Sequence, residues 1–127
     1  MTRIRIARPV SDLEKSVAMY CAGLGLAEIG RFKNHAGFDG VMLGLAGMHY
    51  HFEFTHCPAA PVRPSPTPED LIVFYLPERA EWRRACESMR RAGFKEVVPF
   101  NPYWGQRGVT FEDDDRYRVV LEQAQSS

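Results

Sequence analysis

The sequence predicts an α+β fold built from two tandem βαβββ modules, and three observations carry that prediction. The order strand, helix, three strands can be read twice along the 127 residues. The two helices close on similar endings, "LGL" and "AGF", so the pattern recurs after about sixty residues, as expected of a structural duplication. Between the copies lie five prolines in eleven residues, Pro58 to Pro68, which no helix or central strand accommodates. Module one is placed at 1–57, an extended connector at 58–69 and module two at 70–124, all within a single domain 1–127.

In module one, "RIRIARPV" alternates charged and apolar residues and reads as a strand with Ile4 and Ile6 on one face. "SDLEKSVAMYCAGLGL" reads as a helix. Ser11 and Glu14 have the spacing of a capping box, Leu13, Val17, Tyr20 and Leu24 recur at helical period, and Gly23 or Gly25 closes it. "AEIGRF", "GVMLGL" and "MHYHFEFTH" follow as short strands separated by glycine-containing turns. In module two, "DLIVFYL" is a mostly apolar strand. "PERAEWRRACESMRRAGF" is a helix with proline at or near its first turn, ending at Gly93, with Trp82, Ala85, Cys86 and Met89 on one face. Its five arginines (79, 83, 84, 90 and 91), balanced by Glu78, Glu81 and Glu87, read as a solvated face rather than a phosphate site. "KEVVPF", "RGVTFED" and "RYRVVLEQ" complete the strands.

Composition narrows the function classes. With 45% hydrophobic residues, 25% charged residues and formal net charge zero, the chain gives no global case for nucleic acid or an anionic membrane as partner. No apolar run approaches the roughly 20 residues that span a bilayer, and "MTRIRIARPV" lacks the apolar core of a signal peptide. Three cysteines (21, 57 and 86) without CxxC spacing read as unpaired core thiols rather than a catalytic or disulfide set. A reducing, cytoplasmic setting is the expectation.

The stretch "MHYHFEFTH" (48–56) holds the chemistry. As a strand it puts His49, His51, Glu53 and Thr55 on one face and Tyr50, Phe52 and Phe54 on the other. Histidine and carboxylate at alternating positions can converge on zinc or iron, although catalytic zinc normally wants three protein ligands.

Taken together, "RPVSDLEKSVAMYCAGLGL", "HFEF" and "FEDDDRYRVVLE" resemble the vicinal oxygen chelate superfamily, the glyoxalase, bleomycin-resistance and extradiol dioxygenase group. The resemblance covers nearly the whole chain. It implies that the two modules form an incomplete barrel around a cavity, with the helices outside, and that the chain forms a homodimer. The "FEDDD" strand end departs from the family turn "F-x-D-P-D-G": Asp114 stands where proline is usual and Arg116 where glycine is usual. Metal-dependent relatives carry four ligands, and their positions fall here on Arg5, Glu53, Leu71 (Asp70 if the register slips) and Val120. Arginine has no lone pair to give at neutral pH, and leucine and valine have no donor. No inherited metal site is expected, and no cofactor.

Three readings of the strand stand open. In the leading one the protein binds a small planar or anionic molecule in the cavity without metal. An Arg5–Glu53 ion pair then stands in the vacated metal position, since a buried carboxylate needs a partner. Arg5, His49, His51, Glu53, Tyr75, Tyr103, Trp104, Arg118 and Val120 are the candidate ligand-binding residues, with Val73 and Glu122 nearby. In the second, His51 and Glu53 recruit a divalent metal with His49 or a distant carboxylate, for a glyoxalase-type lyase or a dioxygenase. A metal-free enzyme is its variant, with Glu53 as general base assisted by His51. In the third, the face is plain polar sheet surface and the domain is a protein-interaction module.

Overall fold

The computed structural model describes residues 2–125. In chain order the elements are β1 (Ile4–Pro9), α1 (Leu13–Leu24), β2 (Ala27–His35), β3 (Phe38–Gly44) and β4 (Tyr50–His56), then β5 (Leu71–Tyr75), α2 (Arg79–Arg91) and β6 (Lys95–Val97). A 3₁₀ turn (Pro102–Gly105), β7 (Gly108–Glu112) and β8 (Arg118–Glu122) complete the chain. Two compact units meet at Pro64/Ser65, inside the proline-rich stretch.

In the first unit the sheet order is β1-β4-β3-β2, with β1 and β4 parallel and the other pairs antiparallel. The strands alternate as the pleat requires. Val41, Leu43, Phe52 and Phe54 are almost fully buried, and α1 packs on β3 and β4. Tyr20 of α1 meets Phe54 edge-to-face at 4.9 Å. The helix begins one residue later than the capping box implies: Asp12, not Ser11, is the N-cap, and its side chain accepts a hydrogen bond from the Lys15 amide at 3.1 Å. Of the two glycines offered as its end, Gly25 serves, at φ 70°, its amide donating to the Cys21 carbonyl. Gly23 lies buried within the helix.

β2 and β3 extend further towards their connecting turn than the residue pattern suggests. The turn lies at Ala36–Gly37, with Asn34 and Ala36 joining Gly37 at positive φ. β4 is shorter at its start. A turn through Gly47 leaves Met48 and His49 ahead of the strand, although the His49 carbonyl accepts from the Ile4 amide at 2.8 Å.

The second unit repeats the plan, in the order β5-β8-β7-β6 with β5 and β8 parallel. Its core joins Cys86 and Met89 of α2 to Phe94, Phe111, Val119 and Leu121. Trp82 ties α2 to β8 by donating its indole N–H to the Leu121 carbonyl at 2.9 Å. Pro77 sits just outside the helix, before the N-cap Glu78, and Gly93 follows the C-cap Ala92. All five helix arginines are exposed; Arg90 pairs with Glu96 at 2.9 Å, and Arg91 lies 3.8 Å from Glu87.

The turn between β7 and β8 keeps a left-handed residue although its glycine is missing. Arg116 adopts φ 71°, while Asp113 Oδ1 accepts from the amides of Asp115 (2.8 Å) and Tyr117 (3.0 Å). Among the described residues no helix is long and apolar enough to cross a membrane.

Candidate functional site

The strand registers of the two units can be laid over one another. β1·β4 sets Arg5 beside His51 and Ala7 beside Glu53; β5·β8 sets Leu71 beside Arg118 and Val73 beside Val120. Arg5 and Leu71 are therefore equivalent positions in the duplication, as are Glu53 and Val120. These are the four positions onto which the superfamily resemblance maps the ligands of metal-dependent members.

In the first unit three side chains converge on the sheet face turned away from α1. Arg5 donates from Nε to His51 Nε2 at 2.9 Å and from a terminal nitrogen to Glu53 Oε2 at 3.1 Å. The ion pair expected from the sequence is thus present, with His51 bridged to it by the same guanidinium. Parallel pairing explains the geometry: His51 is the register partner of Arg5, and Glu53 lies two residues further along the same face, within reach of a long arginine. The Glu53 side chain is only 14% exposed, whereas that of Arg5 is 51% exposed. The carboxylate is mostly withdrawn from water, and its cation still presents donors to solvent.

Accepting at Nε2 requires His51 to carry its proton on Nδ1, and that atom is buried without a partner among the described residues. Burial first, then the charges of Arg5 and Arg3, hold the imidazole below its ordinary pKa; Glu53 opposes them. The neutral ring is the form that this cluster favours.

Among the described residues no three His, Cys, Asp or Glu side chains are grouped to hold a metal ion. The donors present do not match a divalent centre. Arg5 fills one ligand position and engages both His51 and Glu53, and Leu71 and Val120 have nothing to offer.

The other sequence candidates are placed differently. His49 is exposed and precedes β4, so it is not held in the pleat with His51. Tyr75 ends β5, and it and Tyr103 are partly exposed. Tyr103 and Trp104 sit edge-to-face at 5.0 Å on the 3₁₀ turn, which Asn101 caps by accepting from the Tyr103 amide. Val120 is fully buried, and Arg118 donates from Nε to its cross-strand partner Glu112 at 3.0 Å, both side chains largely buried, while one of its terminal nitrogens has no partner among the described residues. Glu112 was not anticipated as that partner. Pairing the two strands across "EDDDRYR" would have placed it opposite Arg118.

The element order and the sheets, each with one parallel pair, define the class: the fold is that of the glyoxalase, fosfomycin-resistance and bleomycin-resistance proteins of the vicinal oxygen chelate superfamily. The fosfomycin resistance protein FosX from Mesorhizobium loti matches with TM-score 0.73 at 16% identity, over 95% of this chain and 90% of that one. Glyoxalase I of Leishmania major matches with TM-score 0.74 at 16% identity, over 98% and 87%. At such identities the likeness establishes the fold alone.

Within that class the chain belongs to the YycE-like family: residues 4–55 match its N-terminal domain and residues 69–123 its C-terminal domain. The YycE protein of Bacillus subtilis (strain 168) is 43% identical over 119 residues, covering 94% of this chain and 86% of that protein. A crystal structure of a YycE protein from Bacillus subtilis superposes with TM-score 0.92 at 40% identity, covering 99% and 92%.

Proposed function

We propose that this protein is a metal-free binder of a small planar or anionic molecule, with Arg5, His51 and Glu53 as its recognition cluster. The observation that carries the reading is the Arg5 guanidinium, hydrogen-bonded to both His51 and Glu53 at the first inherited ligand position. It places a fixed, permanently charged donor where relatives hold a divalent ion. Glu53 and His51 orient the guanidinium, and its half-exposed remaining N–H groups are left for a carboxylate or another planar acceptor. The resemblance to drug-binding members of the superfamily supports the same reading. A homodimer in the cytoplasm belongs to this proposal, supported by family resemblance and, for the compartment, by the unpaired state of Cys21, Cys57 and Cys86.

The test begins with elemental analysis of untagged protein, wild type beside Glu53→Ala, followed by a ligand screen by thermal shift with and without chelator. The expected result is no stoichiometric metal in either protein, and ligand-induced stabilisation that chelator leaves alone. About one equivalent of metal in the wild type, lost in the variant, would overturn the proposal in favour of a metal-dependent lyase or dioxygenase.

A further inference from the structure

The duplication exposes a difference between the two units, through a pair of equivalent glycines. Gly40 on β3 is the register partner of Thr55, and Gly108 on β7 is the register partner of Glu122; both partners lie four residues beyond the position facing the first ligand site. Over Gly40 the space a Cβ would need is taken by the ring of Phe32, its neighbour on β2. No such ring covers Gly108. β6 is only three residues long and ends at Val97, opposite Thr110, after which the chain runs through Pro99 to the 3₁₀ turn. The hollow is occupied instead by Oε1 of Glu122, and the Trp104 carbonyl would lie 2.7 Å from a Cβ at this position.

Glu122 is 4% exposed, and Oε1 has no hydrogen-bond partner among the described residues. A buried carboxyl oxygen left unsatisfied is costly and calls for an explanation. Beside it opens a cavity of about 290 Å³ lined by Tyr103, Gln106, Arg107, Glu122 and Ala124. The Arg107 guanidinium on this wall has no side-chain ion pair or hydrogen bond among the described residues, while its backbone carbonyl accepts from the Gln123 amide at 2.7 Å.

We propose that this cavity in the second unit binds a small monocarboxylic acid anion, held between the Arg107 guanidinium and the Glu122 carboxyl. Burial raises the proton affinity of Glu122, and Arg107 opposes it. An anion seated between the two groups requires the protonated carboxyl, which donates an O–H beside the guanidinium's positive charge. That combination suits a monoanion with two coplanar acceptor oxygens, one facing the guanidinium and the other the carboxyl proton. The volume lies at the small end of ligand pockets, which limits the guest to a short chain or a single ring. Tyr103 and Ala124 supply its apolar wall. Besides Arg107, the titratable side chains placed near Glu122 include Tyr75, its register partner on β5, and Tyr103 on the cavity wall.

Because a bound anion favours protonated Glu122, affinity should be greatest at low pH and fall as pH rises through the carboxyl's elevated pKa. Calorimetric titration with benzoate and with propionate, from about pH 5.5 to about pH 8, tests this on the wild type, Arg107→Gln and Glu122→Gln. The wild type is expected to bind at least one of the two, with affinity declining across the range. Arg107→Gln should weaken binding about tenfold or more, through loss of the charge-assisted bonds. Glu122→Gln keeps the side-chain shape and an N–H donor, and is expected to bind with a flat pH profile. No binding of either acid at millimolar concentration would overturn the proposal. Affinity indifferent to Arg107→Gln, or a pH dependence that survives Glu122→Gln, would also overturn it.

Discussion

The two units share one strand plan and one register, yet they settle their polar side chains in different ways. In the first, an arginine on β1 reaches across to two residues of β4, and the group stays partly open to water. In the second, the arginine has moved to β8, where Arg118 pairs with Glu112 on β7, with side chains only 12% and 21% exposed. Leu71 and Val120 replace the polar pair of the first unit. The first arrangement leaves a cation available to a partner and the second consumes it inside the sheet. Duplicated architecture therefore does not imply duplicated side-chain pairing: equivalent Cα positions carry a half-open polar cluster in one copy and apolar residues in the other.

The glycine pair offers the strongest test of this contrast. Gly40→Ala forces a Cβ into the Phe32 ring, whose edge carbons lie 2.5 and 2.9 Å from it, while Gly108→Ala meets the backbone carbonyl of Trp104. Each should cost about 1–3 kcal/mol, the usual range for overpacking. The copies should differ in rescue. Phe32→Leu added to Gly40→Ala should recover much of the loss, because a movable side chain causes the clash. Glu122→Ala added to Gly108→Ala should recover little, because the Trp104 carbonyl remains. Chemical denaturation of the four proteins reads this directly, and equal rescue in both units would remove the distinction.

The ion pairs come next in size. Arg5→Met strands a Glu53 carboxylate that is largely out of water, whereas Glu53→Ala leaves an arginine that solvent already reaches. We expect Arg5→Met to cost about 1 kcal/mol and Glu53→Ala less, since a half-exposed pair is worth little net. Glu53→Ala should still alter ligand binding by releasing the guanidinium from its orientation. A large stability loss with unchanged binding would make Glu53 a structural residue.

A smaller effect follows from His51. Its folded-state pKa lies below the ordinary value, so the unfolded chain takes up the proton first on acidification. The stability tied to this ring is fully present above about pH 6.5 and is lost as pH falls through the lower folded value. Protonation also removes the Nε2 lone pair that accepts from Arg5. NMR titration should find His51 titrating below the ordinary histidine value. A value at or above the ordinary one would contradict the neutral-ring geometry.

Much of this was legible in the sequence because it depends on period and spacing. The repeat, the two helices and the alternation of "HFEF" follow from burial on one face, and the Arg5–Glu53 pair follows once β1 is set beside β4. What escaped was decided by local competition or by geometry beyond the strand. Asp12 displaced Ser11 as the cap because its carboxylate reaches the Lys15 amide. His49 fell out of the pleat because the turn through Gly47 delays β4. The Arg118–Glu112 pair was not foreseen because strand parity says which face a residue takes, not which neighbour claims it. The Glu122 hollow depends on β6 stopping short at Val97, and the apolar pattern of "KEVVPF" does not announce that stop.

The smallest predicted effect tests the β7–β8 turn, where an arginine stands at a left-handed position that usually favours glycine. Arg116 holds φ 71°, a region that costs an L-residue with a Cβ about 1 kcal/mol or more. Three contacts around it over-determine the turn: the two amides bound by Asp113 Oδ1, and the Asp113 amide donating to the Tyr117 carbonyl at 3.0 Å. Arg116→Gly relieves the strain but loosens the unfolded chain, an opposing effect of about 0.4–1 kcal/mol. The net should be a stabilisation of only a few tenths of a kcal/mol. Arg116→Ala, which keeps the Cβ and gains no flexibility, should give none. If the two variants behave alike in denaturant, the strain resides elsewhere in the turn and the arginine side chain, rather than its backbone angle, is what the position selects.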